Sequence, residues 1–144
     1  MQKSKGFTII ELIVVIAIIA ILASIVLVNV TSYLNKAKDA GVIEYVHQLQ
    51  SAAMAFYLSG FTYTGVTSDA TYAAIVSKIG AINPAPTVTT YINAATGAVG
   101  TTYCVKSTMP SGATTWCSDS TGYVGTLASG KCTATTDATT TTCQ

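Results

Sequence analysis

Residues 3–30 read KSKGFTIIELIVVIAIIAILASIVLVNV, and this stretch decides the fold. From Phe7 to Val30 it is apolar apart from two hydroxyls, one amide and a single carboxylate, that of Glu11. A helix of this length would measure about 36 Å, enough to cross a hydrocarbon core of about 30 Å. A charge at the centre of such a helix costs about 2.5–3.5 kcal/mol on insertion scales, so we expect Glu11 to have a partner.

Two ordinary kinds of segment also combine leading lysines with an apolar run. A secretory signal peptide would be cut near residues 23–24, but Ile21 stands where a small residue is wanted and Glu11 lies inside the apolar region. An uncleaved membrane anchor would have a suitable length. Neither alternative explains the combination of Gly6, Phe7 and Glu11.

The residues from Lys3 to Glu11 resemble the N-terminus of type IV prepilins, and the resemblance extends to about residue 30. In that family a dedicated peptidase cuts after the glycine and methylates the new N-terminal residue. The resemblance therefore implies cleavage between Gly6 and Phe7 and N-methylation of Phe7. It also implies that Glu11 pairs with the amine of Phe7, in its own chain or in a neighbouring subunit, and so fixes the axial register of a filament.

The helical pattern continues beyond the apolar stretch. Residues 35–59 contain no proline, and apolar side chains recur there at gaps of four and three: Val42, Val46, Leu49, Ala53 and Phe56. This pattern predicts one continuous helix from about Phe7 to Ser59, ended by Gly60. Its first half would be apolar on all sides and its second half amphipathic.

The rest of the chain predicts a small head. Ser68–Ile79 has the spacing of a short helix that starts at Ser68 or Asp69. Four stretches rich in Thr, Val and Tyr predict strands: Thr87–Ile92, Thr101–Lys106, Thr114–Ser118 and Tyr123–Leu127. We therefore predict an α+β fold of the pilin type, with a long N-terminal helix packed on a small antiparallel β-sheet.

This interpretation divides the chain into four parts. Residues 1–6 would be a leader peptide that is removed on maturation, and 7–30 a transmembrane or filament-core helix. Residues 31–60 would be the amphipathic continuation of that helix, and 61–144 a disulfide-bonded head with a threonine-rich C-terminal loop.

All four cysteines, Cys104, Cys117, Cys132 and Cys143, lie in the last third of the chain. They form no Cys-x-x-Cys pair and the single histidine, His47, is far away in sequence, so we predict no metal site and no cofactor. An even number of cysteines behind an export segment indicates two disulfides, which would lie outside the cytoplasm.

A turn signal at residues 109–112, Met-Pro-Ser-Gly, suggests how the cysteines pair. Cys104 and Cys117 are placed symmetrically about this turn, so a tight hairpin would set them opposite each other. We therefore predict disulfides Cys104–Cys117 and Cys132–Cys143, although four cysteines allow three connectivities. The family usually closes its C-terminal region with one disulfide, so two short local loops would be a departure.

The charge balance and the motifs of the chain argue against nucleic-acid binding, catalysis and calcium binding. The chain has no arginine, and removal of the leader leaves five lysines against six acids, so we expect no nucleic-acid surface. The sequence has no nucleophile motif, phosphate loop or carboxylate dyad, which argues against an enzyme. Ser118–Gly122 could offer oxygens to calcium, but one acid among hydroxyls favours a turn.

The resemblance implies a structural subunit, the major pilin of a type IV pilus. It would first be a single-pass inner-membrane protein with a cytoplasmic N-terminus and then part of an extracellular filament. The implied partners are the membrane, copies of the same chain, the prepilin peptidase and methylase, and an assembly platform with a separate ATPase motor. The alternatives are a type II secretion pseudopilin in a short periplasmic pseudopilus, and a minor tip pilin that binds DNA or a surface.

Overall fold

The computed structural model describes residues 6–93, 100–112, 114–133 and 141–144. It contains two α-helices, a 3₁₀ turn between them, and four strands. In chain order these are α1 Ile9–Gly60, the turn Val66–Ser68, α2 Ala70–Gly80, β1 Val88–Asn93, β2 Thr102–Thr108, β3 Thr115–Asp119 and β4 Val124–Thr126. The predicted α+β fold, a long N-terminal helix with a small antiparallel sheet, is confirmed.

The chain forms two compact units, Met1–Leu34 and Asn35–Gln144. In the first unit, every side chain that the structure describes between residues 6 and 34 is exposed. In the second unit α1 buries one stripe completely, formed by Val42, Val46, Leu49 and Ala53. These residues recur at the gaps expected for one face of a helix, as the sequence predicted.

The second helix begins where a side chain can cap it. The Asp69 carboxylate accepts a hydrogen bond from the backbone N–H of Tyr72 at 2.9 Å, which satisfies one of the unpaired N–H groups at the helix start. Tyr72, Ile75 and Ile79 lie on the buried face of α2. Of the two predicted starts, Asp69 is therefore the capping residue.

The end of α1 differs from the prediction by one residue. Gly60 is still helical, and the left-handed backbone conformation falls on Phe61, with φ of 53°. The Phe61 N–H donates to the Tyr57 carbonyl at 2.6 Å, and its ring meets the Tyr57 ring edge-on. The helix is thus closed by the backbone of Phe61, and Gly60, which was predicted to cap the helix, is instead its last residue.

The strands form one antiparallel meander in the order β1-β2-β3-β4. Each strand begins and ends within two residues of its predicted bounds. Side chains alternate between the faces of the sheet. Tyr103 and Val105 of β2 join the core formed with the helices, whereas Cys104 between them joins a cluster on the other face.

The predicted disulfide pairing, Cys104–Cys117 with Cys132–Cys143, is wrong. The structure joins Cys104 to Cys132 and Cys117 to Cys143, with Cα–Cα distances of 5.7 and 5.8 Å. The hairpin is centred one residue later than assumed, so Cys104 lies opposite Asp119 and Cys117 opposite Lys106. Such diagonal neighbours are about 7–8 Å apart, which is beyond the usual reach of a disulfide. Both bridges therefore join the sheet to the C-terminal segment.

Candidate functional site

The start of α1 is organised by a reciprocal pair of side chains. The Glu11 Oε2 atom accepts hydrogen bonds from the Thr8 backbone N–H at 2.9 Å and from the Thr8 hydroxyl at 2.7 Å. In return, the Glu11 backbone N–H donates to the Thr8 hydroxyl at 3.3 Å. The Thr8 carbonyl accepts the first helical bond, from Leu12 at 3.2 Å. This is the capping-box arrangement of a helix N-terminus.

Thr8 was not among the predicted site residues, although the sequence carries a signal for its role. A threonine followed three residues later by a glutamate, ahead of an apolar run, predicts a capping box. The carboxylate of Glu11 thus has polar partners inside its own chain, and Thr8 lies between it and the residue predicted to become the N-terminus, Phe7.

Gly6 and Phe7 precede the helix and are exposed. Apart from its chain neighbours, no described residue has an atom within 4 Å of a Cβ built on Gly6, and the φ of Gly6 lies outside the left-handed region. The fold therefore does not require glycine at this position. The Phe7 side chain is 74% exposed, so the fold does not bury it either.

Beyond the cap, the part of α1 before Leu34 presents a largely apolar, exposed surface. Its large exposed side chains include Ile9, Ile10, Leu12, Ile13, Ile16, Ile18, Ile19, Ile21, Leu22, Ile25 and Leu27. By length and composition, α1 is the one helix in the described part of the chain that could cross a membrane, and none of its most apolar window is buried. Glu11 is the single charged side chain on this surface before Lys36.

The possible calcium ligands of Ser118–Gly122 are used in a turn. Asp119 is buried, and its Oδ1 accepts hydrogen bonds from the backbone N–H and the hydroxyl of Thr121, at 2.9 and 2.5 Å. Its Oδ2 accepts from the backbone N–H of Cys143 at 2.7 Å. Among the described residues, no group of three or more His, Cys, Asp or Glu side chains could hold a metal ion.

Buried phenols are the most perturbed titratable groups of the second unit. Burial raises the pKa of Tyr72 to about 12, and the hydrogen bond of its hydroxyl to Thr90 at 2.9 Å opposes this shift. Burial also raises the pKa of Tyr103, whose hydroxyl lies 3.4 Å from that of Ser118. Raised phenol pKa values keep both groups neutral in the core.

The remaining predicted residues do not converge on a reactive centre. His47 is exposed on α1, and its carbonyl accepts a hydrogen bond from the Ser51 hydroxyl. A cleft of about 410 Å³ between α2 and β1 is lined by Tyr72, Val76 and Thr90 with their neighbours, and its lining contains no carboxylate, thiol, imidazole or amine. Lys3, Lys5 and most of the threonine-rich tract lie outside the described residues.

The fold is that of the pilin-like class of proteins. In this class a long helix begins with an exposed apolar half that carries one early carboxylate, and its second half packs on a small antiparallel sheet. Residues 1–27 match the family model of the prokaryotic N-terminal methylation motif. The chain is also 38% identical over 64 residues to PilA4, the type IV wide pilus major component of Thermus thermophilus. That match covers 44% of this chain and 49% of PilA4, so the chain spans about half the length of this relative.

No solved structure matches the chain. The methylation motif and the homology to PilA4 support its membership of the type IV pilin family. Members of this family are structural proteins.

Proposed function

We propose that this chain is the major, filament-building subunit of a type IV pilus. The observation that carries the proposal is the exposed apolar surface of α1 before Leu34, interrupted by the single carboxylate of Glu11. Apolar surface of this extent is unfavourable in water and must be covered by lipid or by other protein. A pilus subunit uses both covers in turn, first the membrane and then the helices of other copies.

Maturation would act at Gly6 and Phe7. The prepilin peptidase would hydrolyse the bond between them, release residues 1–6, and leave a new α-amino group on Phe7 that is then methylated. The open space around Gly6 supports this role, because the fold gives no reason for a glycine there. A residue without a side chain suits a peptidase that would reject bulkier residues on the leaving side.

Assembly would use the carboxylate of Glu11. While the subunit is in the membrane, the two donors of Thr8 would hydrogen-bond one oxygen of this group, Oε2. In the filament, the methylated amine of Phe7 from a neighbouring copy would pair with it in an apolar surround. A buried pair of this kind gives little net stability, but it disfavours every register in which the charges are unpaired.

The proposed topology places the N-terminus in the cytoplasm and the second unit outside it. The lysines before Gly6 would hold the leader on the cytoplasmic side. The two disulfides of the second unit suit an oxidising compartment. Extraction of α1 from the membrane would be driven by an assembly platform and its separate ATPase, and the finished subunit would belong to an extracellular pilus.

Three observations favour the major pilin over its rivals. The relative PilA4 is a major component of its pilus. Both oxygens of the Asp119 carboxylate accept hydrogen bonds within the chain, which disfavours the calcium-dependent head of a secretion pseudopilin. A DNA-binding tip pilin would need a basic surface, whereas the lysines of the head, Lys78, Lys106 and Lys131, are few and scattered in sequence.

Mass spectrometry of the N-terminal peptide tests this proposal, with material sheared from cells and membranes analysed in parallel. We expect a peptide that begins at methylated Phe7 and is abundant in the sheared fraction. Processed Phe7 confined to membranes would overturn the assignment as major subunit in favour of a pseudopilin or minor pilin. A chain that still begins at Met1, or one that begins near Ser24, would overturn the hypothesis that this chain is a prepilin.

A further inference from the structure

The carboxylate of Asp119 joins two parts of the chain that are far apart in sequence. It is 1% exposed, and its two oxygens have different partners. Oδ1 accepts from Thr121, and more distantly from the Tyr123 N–H at 3.4 Å, and so shapes the turn between β3 and β4. Oδ2 instead accepts from the backbone N–H of Cys143 at 2.7 Å. This second contact is not needed for the turn.

The contact lies inside a cluster of all four cysteines, each fully buried. The register of β2 and β3 keeps Cys104 and Cys117 too far apart to bond. Once the sheet has formed, two connectivities therefore remain. One is the observed pairing, and the other is the exchanged pairing, Cys104–Cys143 with Cys117–Cys132.

We propose that Asp119 selects the observed pairing by docking the backbone of Cys143 before the disulfides form. Cys117 precedes Asp119 by two residues and lies on the same face of β3. Cys104 lies opposite Asp119, so docking alone brings Cys143 near both cysteines of the sheet.

Backbone hydrogen bonds of residues 142 and 143 determine which of the two disulfide pairings then forms. The Cys143 carbonyl accepts from the Ala128 N–H at 3.0 Å, and the Thr142 carbonyl accepts from the Cys132 N–H at 3.1 Å. With Cys143 held by Asp119, these two bonds align residues 128–132 beside the docked end and set Cys132 next to Cys104. Cys143 is then left to Cys117.

Disulfide formation is an oxidation, and it needs an external electron acceptor. Each new S–S bond releases two thiol protons and passes two electrons to a disulfide oxidant, which is reduced to two thiols. Asp119 takes no part in that electron transfer, and its role is to position Cys143. The proposal does not depend on whether the chain builds a pilus.

Peptide mapping of the full-length chain in detergent tests the proposal. The chain is reduced, reoxidised with a mixture of reduced and oxidised glutathione, alkylated, and digested with trypsin and the protease Asp-N. Cleavage after Lys106 and Lys131 and before Asp137 separates the four cysteines into four peptides. The observed and exchanged pairings then give linked peptides of different mass.

The variants separate docking from turn formation. In Asp119→Ala both contacts are lost, and we expect the ratio of observed to exchanged pairing to fall about tenfold or more, since a buried bond to a charged group is lost. Asp119→Asn has one acceptor oxygen for two sets of donors, so it should give a smaller fall in the same direction. Thr121→Val removes a donor of the turn but keeps the contact with Cys143, and should pair like the wild type.

Two results would overturn the proposal. The first is an unchanged pairing ratio in both Asp119 variants. The second is a loss of pairing in Thr121→Val as large as that in Asp119→Ala, because the turn and not the docking would then be responsible. If Asp119→Ala does not accumulate, the comparison of Asp119→Asn with Thr121→Val decides between the two roles.

Discussion

Thr8 and Glu11 hold each other at the start of α1, through a carboxylate oxygen 2.7 Å from the Thr8 hydroxyl and 2.9 Å from the Thr8 N–H. The acid that stands out in the apolar sequence is therefore already hydrogen-bonded within a single chain. If α1 enters a membrane as proposed, this contact would lower the cost of carrying Glu11 there before any neighbouring amine is available. It also separates two possible roles of Glu11, helix capping and charge pairing.

Replacement of Glu11 by Gln distinguishes these roles. A glutamine keeps an oxygen that can accept from Thr8, but it has no charge to pair with the amine of Phe7. If pairing fixes the register, Glu11→Gln and Glu11→Ala should both be cleaved and methylated, and both should reduce sheared filaments by about tenfold or more, the effect of losing a charged hydrogen bond. Immunoblots of sheared and membrane fractions measure this yield.

Thr8→Val is the matched control, because it removes the hydroxyl and keeps the charge of Glu11. We expect it to assemble close to wild-type levels. Should Glu11→Gln assemble normally while Thr8→Val fails, capping would be the important role, and the pairing of Glu11 with the amine would be wrong.

A bulky residue in place of Gly6 should block maturation without affecting the fold. No atom of the described residues lies within 4 Å of a Cβ at this position, so the first side-chain atom of Gly6→Leu has room there. We expect the variant to keep residues 1–6, to remain in the membrane, and to form both disulfides normally. Intact mass under non-reducing conditions reports the leader and the disulfides together. Normal removal of the leader from Gly6→Leu would contradict the cleavage site.

Much of the architecture follows from side-chain periodicity. The buried stripe through Val42, Val46, Leu49 and Ala53 is visible in the sequence because burial on one face of a helix imposes a period near 3.6. The four strands are visible because β-branched and aromatic residues cluster between turn residues. The capping box at the start of α1 is also visible in the sequence, as a threonine three residues before a glutamate, although the cleavage motif alone does not point to Thr8.

The disulfide pairing could not be predicted from the sequence. A displacement of the hairpin centre by one residue changes which side chains face each other, and the turn signal at residues 109–112 does not fix that centre. The Cys143 contact of Asp119 joins residues 24 positions apart, and local patterns carry no information about it. Register and long-range polar contacts depend on the packed structure as a whole.

The buried tyrosines predict a loss of stability at high pH. The pKa of Tyr72 is raised to about 12 in the folded chain, whereas an unfolded tyrosine titrates near 10. Between these values the unfolded chain has lost a proton that the folded chain retains. The free energy of unfolding should therefore fall with rising pH, by about 1.4 kcal/mol per pH unit for this residue, and it should be unaffected well below pH 10.

Chemical unfolding of the full chain in detergent, followed by near-ultraviolet circular dichroism between about pH 9 and about pH 11, measures this slope. Tyr72→Phe should make the dependence of the free energy of unfolding on pH shallower, by the contribution of this one tyrosine. Thr90→Val removes only the hydrogen-bond partner of Tyr72 and should leave the slope nearly unchanged. Equal slopes in the wild type and Tyr72→Phe would mean that Tyr72 is not protected from ionisation.

Paired cysteine substitutions should cost stability according to the observed bridges. Removing Cys104 with Cys132, or Cys117 with Cys143, opens a loop of similar size, 28 or 26 residues in separation, so each should lower the free energy of unfolding by about 3–4 kcal/mol on the chain-entropy model. Each double serine variant should keep one disulfide and no free thiol. Removing Cys104 with Cys117 should instead leave two free thiols or a non-native bridge. A stable variant of that last kind, with a Cys132–Cys143 bridge and full helix content, would contradict the observed pairing.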